Sequence, residues 1–231
     1  MFESLRRMQP GASVGSILFY RFVAWFPRNA GRLFWGLRAI DIHKVPATGA
    51  VVLAANHQSY FDPPFIGGQV MTRNFDYIAR EGLFKVPLLG PFIRALNSIP
   101  VSGAGGKDMA SIREVIGRLN QGRGTLIFPE GSRTFDGKLQ PFAAGVLLLV
   151  RKTKCPVVPV AITGAYKAWP RRNPLPIPWK ARVTVQYGDP ISAETLLAMS
   201  NEDAMKLIRE KIEAMLKNLG DEGVVNHHSQ V

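Results

Sequence analysis

The stretch "VVLAANHQSYFDPP", residues 51–64, shows how this chain is built. Val51–Ala55 is an unbroken apolar run, the pattern of a strand buried on both faces. It leads into His57 and, five positions on, Asp62. No regular element brings side chains at that offset together. Five helical steps turn about 500°, leaving the two about 140° apart, and an odd offset along a strand puts them on opposite faces. For the two to meet, the segment between them must be a strand-to-helix turn. Asp62 followed by Pro63-Pro64 supplies the helix start, an Asp N-cap and then proline at the first helical position.

The same alternation continues on both sides. Phe75–Ala79, Ser98–Val101, Thr125–Phe128, Val157–Ile162 and Arg182–Gln186 read as strands. Pro63–Val70, two short helices within Gly82–Leu96 separated by Pro87, Lys107–Leu119, Ala144–Lys152 and Ser200–Leu219 read as helices. In the last, Ile208, Ile212, Met215 and Leu219 line one face, and Ser200 with Asp203 forms a capping box. Strands alternating with helices predict an α/β domain. Residues 1–44 read as a helical region, 45–220 as one domain and 221–231 as a flexible tail. Phe61, Phe84, Phe92 and Phe142 read as core.

Charge is uneven. The net charge is +12, and Gly137–Gly188 contains nine Lys or Arg and no Asp or Glu. The first 44 residues carry seven basic and two acidic residues. Such a field attracts anionic lipid or phosphorylated substrates. No helix-turn-helix, zinc-finger or RNA-binding signature accompanies it, which disfavours nucleic acid. Cys155 is the single cysteine, so no intramolecular disulfide forms, in keeping with a reducing compartment. It lies between Lys154 and Pro156 at a strand start, a packed position rather than a nucleophile's. No cluster implies a metal.

The N-terminal region points to a lipid surface. "SVGSILFYRFVAWF" (13–26) is apolar and aromatic but interrupted by Arg21, and its runs are shorter than the ~18 residues a spanning helix needs. It lacks a small-residue cleavage site, so a signal peptide is not expected. "GRLFWGLRAIDI" (31–42) follows. Arg21, Arg28, Arg32 and Arg38 interleave with Trp25 and Trp35, the pattern of interfacial insertion. The expected location is the cytoplasmic face of a membrane, peripheral or monotopic. Trp169, Arg171, Arg172, Trp179 and Lys180, in a proline-rich loop, read either as a rim of a membrane or donor site or as a solvated basic loop.

Two segments carry chemistry. "NHQSYFD" offers His57 as a base and Asp62 as its orienting carboxylate. "FPEGSRT" (128–134) offers Glu130, a flexible Gly131, the Ser132 hydroxyl and Arg133, whose planar fork bonds two phosphate oxygens at once. Each follows a predicted strand, so both belong at one end of the sheet, where α/β proteins place sites. Taken singly, His57 is a strand exit, Asp62 a helix cap and "PEGSRT" a surface turn; their joint occurrence at this spacing says more.

The chain resembles the glycerolipid acyltransferase family, and within it the bacterial 1-acyl-glycerol-3-phosphate acyltransferases. The family's first motif, His, four residues, Asp, matches His57 and Asp62 with the usual Asn56 before them. Its third, Phe-Pro-Glu-Gly-Ser/Thr-Arg, matches Phe128–Arg133 without a break. "LFKVPLLGPFIRALNSIPV" (83–101) is similar to the second-motif region and "VVPVAI" (157–162) to the fourth. The likeness covers about residues 45–190 and implies a single acyltransferase-like domain, its mixed central sheet flanked by helices. One departure stands out: after "IPV" many relatives carry Asp-Arg, here replaced by Ser102-Gly103, which leaves Arg133, Lys107 or Arg80 to supply charge for an acceptor phosphate. "SGAGGKD" (102–108) is not a P-loop and reads as a connector.

The resemblance implies transfer of a fatty acyl group from a coenzyme A or acyl-carrier-protein thioester to the free hydroxyl of 1-acyl-glycerol-3-phosphate, giving phosphatidic acid. No cofactor is implied beyond that co-substrate. His57 would take the hydroxyl's proton and Asp62 would hold the imidazole tautomer, with the acceptor hydroxyl in the place a serine holds in Ser-His-Asp enzymes and no covalent intermediate. Glu130 and Arg133 would orient the glycerol-phosphate head. Acylation of another lysophospholipid or of glycerol-3-phosphate, or a non-catalytic lipid-binding protein of the same fold, are the alternatives.

Overall fold

The computed structural model describes residues 2–102 and 109–220. Lys107, most of the expected connector and the expected tail lie outside the described residues. The helices are α1 (Phe2–Met8), α2 (Val14–Trp35), α3 (Asp62–Gly67), α4 (Glu81–Phe84), α5 (Leu89–Ala95), α6 (Met109–Asn120), α7 (Gly145–Thr153), α8 (Ala165–Ala168), α9 (Ala193–Leu197) and α10 (Asn201–Asn218). The strands are β1 (Arg38–Ile40), β2 (Val51–Ala55), β3 (Phe75–Arg80), β4 (Ser98–Val101), β5 (Gly124–Ile127), β6 (Val157–Thr163) and β7 (Thr184–Tyr187).

The strands form one seven-stranded sheet in the order β1-β7-β6-β2-β5-β3-β4. From β6 to β4 the neighbours are parallel; β7 runs antiparallel to β6, and β1 parallel to β7. The sheet is therefore mixed, as the family resemblance implies. All five residues of β2 are buried, because this central strand is covered on both faces. Val52 and Ala54 belong to the core under α6, α7, α9 and α10. Val51, Leu53 and Ala55 face the core under α2, α3 and α8. Ser200 caps α10 by accepting the Asp203 N–H at 3.1 Å. Cys155 is buried at 2% exposure, and burial pushes its thiol pKa up.

The N-terminal region differs from the helical expectation. α2 ends at Gly36, which adopts the left-handed conformation (φ 53°) that favours glycine. The chain then adds β1 to the sheet, with the Arg38 N–H bonded to Val183 O at 3.0 Å. Arg38 thus lies on an edge strand, exposed, rather than on a helix. Trp35, expected at a lipid surface, is core at 6% exposure. Its ring packs 4.6 Å from Phe61 and 6.3 Å from Phe65, and its Nε1 donates to Ile177 O at 2.8 Å. Residues 37–44 belong to the sheet and its flank. Phe84 is buried, but Phe92 is exposed on α5.

α2 carries apolar residues on two opposite sides. Ile17, Tyr20, Gly31 and Trp35 are buried against the sheet side. Leu18, Phe22, Trp25, Phe26 and Leu33 are exposed, and at 100° per residue they fall within a sector of about 100° on the opposite side. Arg21, Arg28 and Arg32 follow one border of that sector. Among the described residues no helix is long and apolar enough to cross a membrane.

Candidate active site

The C-terminal ends of β2, β5, β3 and β6 point the same way, and the chemistry gathers there. Asn56 fixes the exit of β2: its amide donates to Ile162 O at 2.9 Å and accepts the Ile162 N–H at 2.8 Å. The next residues turn, and His57 Nδ1 meets Asp62 Oδ2 at 2.7 Å. The same oxygen accepts the backbone N–H of Gln58 at 2.5 Å and of Ser59 at 2.7 Å. Asp62 is fully buried and His57 retains 17% side-chain exposure.

An oxygen already accepting two N–H groups has no proton of its own to give, so Nδ1 is the donor. His57 Nε2 has no partner among the described residues. The ring lies flat on Phe128, centroids 3.8 Å apart at 14°, which fixes its plane. Asp62 does not cap α3 as expected from sequence. Pro63 and Pro64 have no N–H to be capped, and the Phe65 N–H goes to Phe61 O at 2.9 Å. The carboxylate therefore turns back to residues 57–59.

The Phe128–Arg133 segment wraps the histidine. Gly131 turns with φ 70°, a conformation in which a side chain is strained although space is open. The Gly131 N–H bonds Phe128 O, and the Thr134 N–H bonds His57 O at 2.8 Å. Glu130 accepts the His57 N–H at 2.7 Å through Oε1 and the Gln140 N–H at 2.9 Å through Oε2. Each oxygen thus accepts one main-chain N–H and keeps room for a further donor. Glu130 holds the His57 turn to the 128–140 loop. Burial pushes its carboxyl up to about 7, against the pull of those two N–H groups. Ser132 is half-buried, and its hydroxyl has no hydrogen bond among the described residues.

Arg133 lies over Tyr60, its guanidinium carbon 3.5 Å from the ring centroid. Its Nη1 is buried without a partner. Burial holds its pKa below the ordinary value, and the charges of Arg171 and Arg80 add to that, partly offset by Asp62. Arg80 ends β3, exposed at the same edge of the sheet. Arg171, which the sequence left between two readings, joins this group: its Nη1 donates to Arg133 O at 2.6 Å and its guanidinium lies 3.9 Å over Phe135. None of Arg80, Arg133 and Arg171 pairs with a carboxylate among the described residues. The sequence signals for Arg171 are the acid-free stretch and the proline-rich basic loop that contain it.

A partly exposed histidine held by a buried carboxylate, at the same end of the sheet as Arg80, Arg133 and Arg171, none of them paired with a carboxylate among the described residues, suits a phosphorylated alcohol. The protein-family model described as Acyltransferase matches residues 37–163. The chain belongs to that family. Over 200 residues it is 22% identical to the 1-acyl-sn-glycerol-3-phosphate acyltransferase of Bacillus subtilis, covering 87% of this chain and 96% of that protein. It is 28% identical over 164 residues to the chloroplastic 1-acyl-sn-glycerol-3-phosphate acyltransferase of Brassica napus, 67% of this chain and 47% of that one. The chain thus spans about half the length of this plant relative. Its fold superposes on the crystal structure of the 1-acyl-sn-glycerophosphate (LPA) acyltransferase PlsC of Thermotoga maritima, with a TM-score of 0.73 and 26% identity over 91% of this chain and 81% of that one.

Proposed function

We propose that the protein moves a fatty acyl group from a coenzyme A or acyl-carrier-protein thioester to the free hydroxyl of lysophosphatidate, giving phosphatidate. The observation that carries this reading is the contact of His57 with the buried Asp62, 2.7 Å apart, with Nε2 unpartnered among the described residues and with Arg133 and Arg171 joined to each other on the loops at the same end of the sheet. The names of the Bacillus subtilis and Thermotoga maritima relatives support the substrate.

An alcohol is a poor nucleophile until a base takes its proton in the transition state. Nε2 takes it as the oxygen attacks the thioester carbonyl. Asp62 stabilises the imidazolium, which returns the proton to the departing thiolate. Arg133 and Arg171 hold the acceptor phosphate, with Arg80 at the mouth. This answers the charge left open by Ser102-Gly103 without requiring Lys107. Glu130 positions His57 through its backbone.

The apolar outward face of α2 supports a membrane-surface location for this chemistry, taken here to be the cytoplasmic side. Exposed Phe22, Trp25, Phe26 and Leu33 enter the acyl boundary, with Arg21, Arg28 and Arg32 at the headgroups. Exposed Leu88 and Phe92 of the α4–α5 region add to the apolar surface. Mass spectrometry of the products from purified protein, offered a panel of lysophospholipids and glycerol-3-phosphate with both donor classes, tests the reading. Phosphatidate from lysophosphatidate alone is the expected result. Turnover of another acceptor in preference would replace the substrate, and turnover of none would leave a lipid-binding protein.

A further inference from the structure

Between α2 and the segment from Gly67 to Asn74 lies a cavity of about 430 Å³, lined by Tyr20, Ala24, Trp25, Gly68, Val70 and Met71 among others. That volume falls within the range of small-molecule sites. The walls are mainly apolar, but the rim is cationic. Arg21 donates to Met71 O at 2.9 Å and Arg28 donates to the Met71 sulfur, so both guanidiniums stand at the edge of the cavity. Arg32 lies one turn further along the same border. None of the three pairs with a carboxylate among the described residues.

Two polar atoms here lack partners. Arg28 Nε is buried without an acceptor, and Asn74, 2% exposed, keeps an unpartnered Oδ1 in the cavity lining. The cavity is separate from the His57 turn. At Gly31 a Cβ would stand 2.9 Å from Phe65, so α2 and α3 are in close contact there. Trp35 and Phe61 pack on Phe65 and complete an aromatic layer on the His57 side. Phe22 and Trp25, which also line the cavity, belong to the outward stripe of α2, so the opening meets that surface.

We propose that this cavity seats one anionic glycerophospholipid of the bilayer, its phosphate on Arg21 and Arg28 and the start of one acyl chain among Tyr20, Ala24, Val70 and Met71. The inference rests on the reading that α2 enters a bilayer. Guanidinium forks suit phosphate oxygens, and the apolar walls favour a chain-bearing phosphate over a free one. A seat of this kind anchors the protein to anionic membrane at a fixed point, distinct from the diffuse attraction of a basic surface.

The test uses the full chain on vesicles of phosphatidylcholine with phosphatidylglycerol, the latter carrying a photoreactive diazirine near the head of one acyl chain. Cross-linked peptides are mapped by mass spectrometry. Labels concentrated in residues 20–28 and 67–74, displaced by unlabelled phosphatidylglycerol but not by phosphatidylcholine or inorganic phosphate, are expected. Ala24→Leu, which fills the cavity, and Arg28→Gln, which removes one fork, each reduce labelling of 67–74 by about tenfold, the scale of one charged hydrogen bond. Circular dichroism melts of both variants check folding, and Arg28→Gln keeps the test open if Ala24→Leu disturbs α2. Labels spread along Phe22, Phe26 and Leu33 without headgroup preference would overturn the seat while leaving membrane insertion standing. Failure of the unaltered chain to bind vesicles would overturn both. Displacement by inorganic phosphate would replace the lipid with a simple anion.

Discussion

Replacing Asp62 with asparagine separates charge from geometry at the centre of the site. Oδ2 accepts from His57 Nδ1 and from the backbone of Gln58 and Ser59. An asparagine that turned its NH₂ toward the histidine would also set it against those two backbone donors. It must therefore place its oxygen there, and the imidazole tautomer survives. What disappears is the negative charge facing the imidazolium. Two unit charges about 4 Å apart at an effective dielectric near 20 interact by about 4 kcal/mol, or about a thousandfold in rate. That is smaller than the about 10⁴-fold loss seen in serine proteases, where the wrong tautomer forms. The NH₂ takes the place of Oδ1, which has no partner, so stability falls by about 1–3 kcal/mol. Turnover at saturating donor and acceptor, with unfolding measured on the same preparation, checks both numbers. A folded Asp62→Asn protein with near-normal turnover would refute the pairing of carboxylate and base, and a loss beyond about 10⁴ would point to a tautomer change.

Arg133→Lys keeps a charge but loses the fork, and about 1.5–3 kcal/mol of charged hydrogen bonding corresponds to a roughly 10- to 100-fold rise in KM for lysophosphatidate. Arg171→Gln should act in the same direction, in both cases with little change in KM for the donor; steady-state kinetics with each substrate varied decides. Glu130 has a pKa raised from 4.5 to about 7 by burial, so its contribution to stability is present below about 4.5 and is lost as pH rises through about 7. Urea unfolding across that window should show a decline that Glu130→Gln removes. Deleting residues 1–40 is a poor test of membrane binding, since it strips β1 and exposes the faces that Tyr20 and Trp35 cover. Phe22→Ser with Phe26→Ser leaves the buried face intact and, at about 2 kcal/mol for each apolar side chain, should weaken liposome sedimentation by about two to three orders of magnitude.

The sheet was readable because its strands are apolar runs bounded by turn residues, and the His57 turn because an offset of five fits no helix or strand. β1 was not readable: it has only three residues and forms by pairing with β7, which lies far along the chain. Trp35 was misplaced because α2 is apolar on opposite sides, and periodicity alone does not say which side meets a core. Glu130 was visible as a carboxylate, but its work depends on main-chain N–H groups of His57 and Gln140, which only the folded chain assembles. Asp62 was found for the right offset and given the wrong cap, because capping rules consider the side chain and overlook that two successive prolines remove the amides to be capped.

Pro63 and Pro64 insulate Asp62 from its own helix. With ordinary residues there, α3 would present amide hydrogens to the nearest carboxylate, and Asp62 would be divided between the helix behind it and the histidine in front. The prolines offer no such competition, so all three bonds of Oδ2 are made with residues 57–59. Acid, base and the backbone that orients them thus form a cassette a few residues long, attached to the sheet by the Asn56 clamp and the loop held by Glu130. A cassette wired this way tolerates drift in the distant helices and loops, but a single inserted residue between His57 and Asp62 would disconnect it.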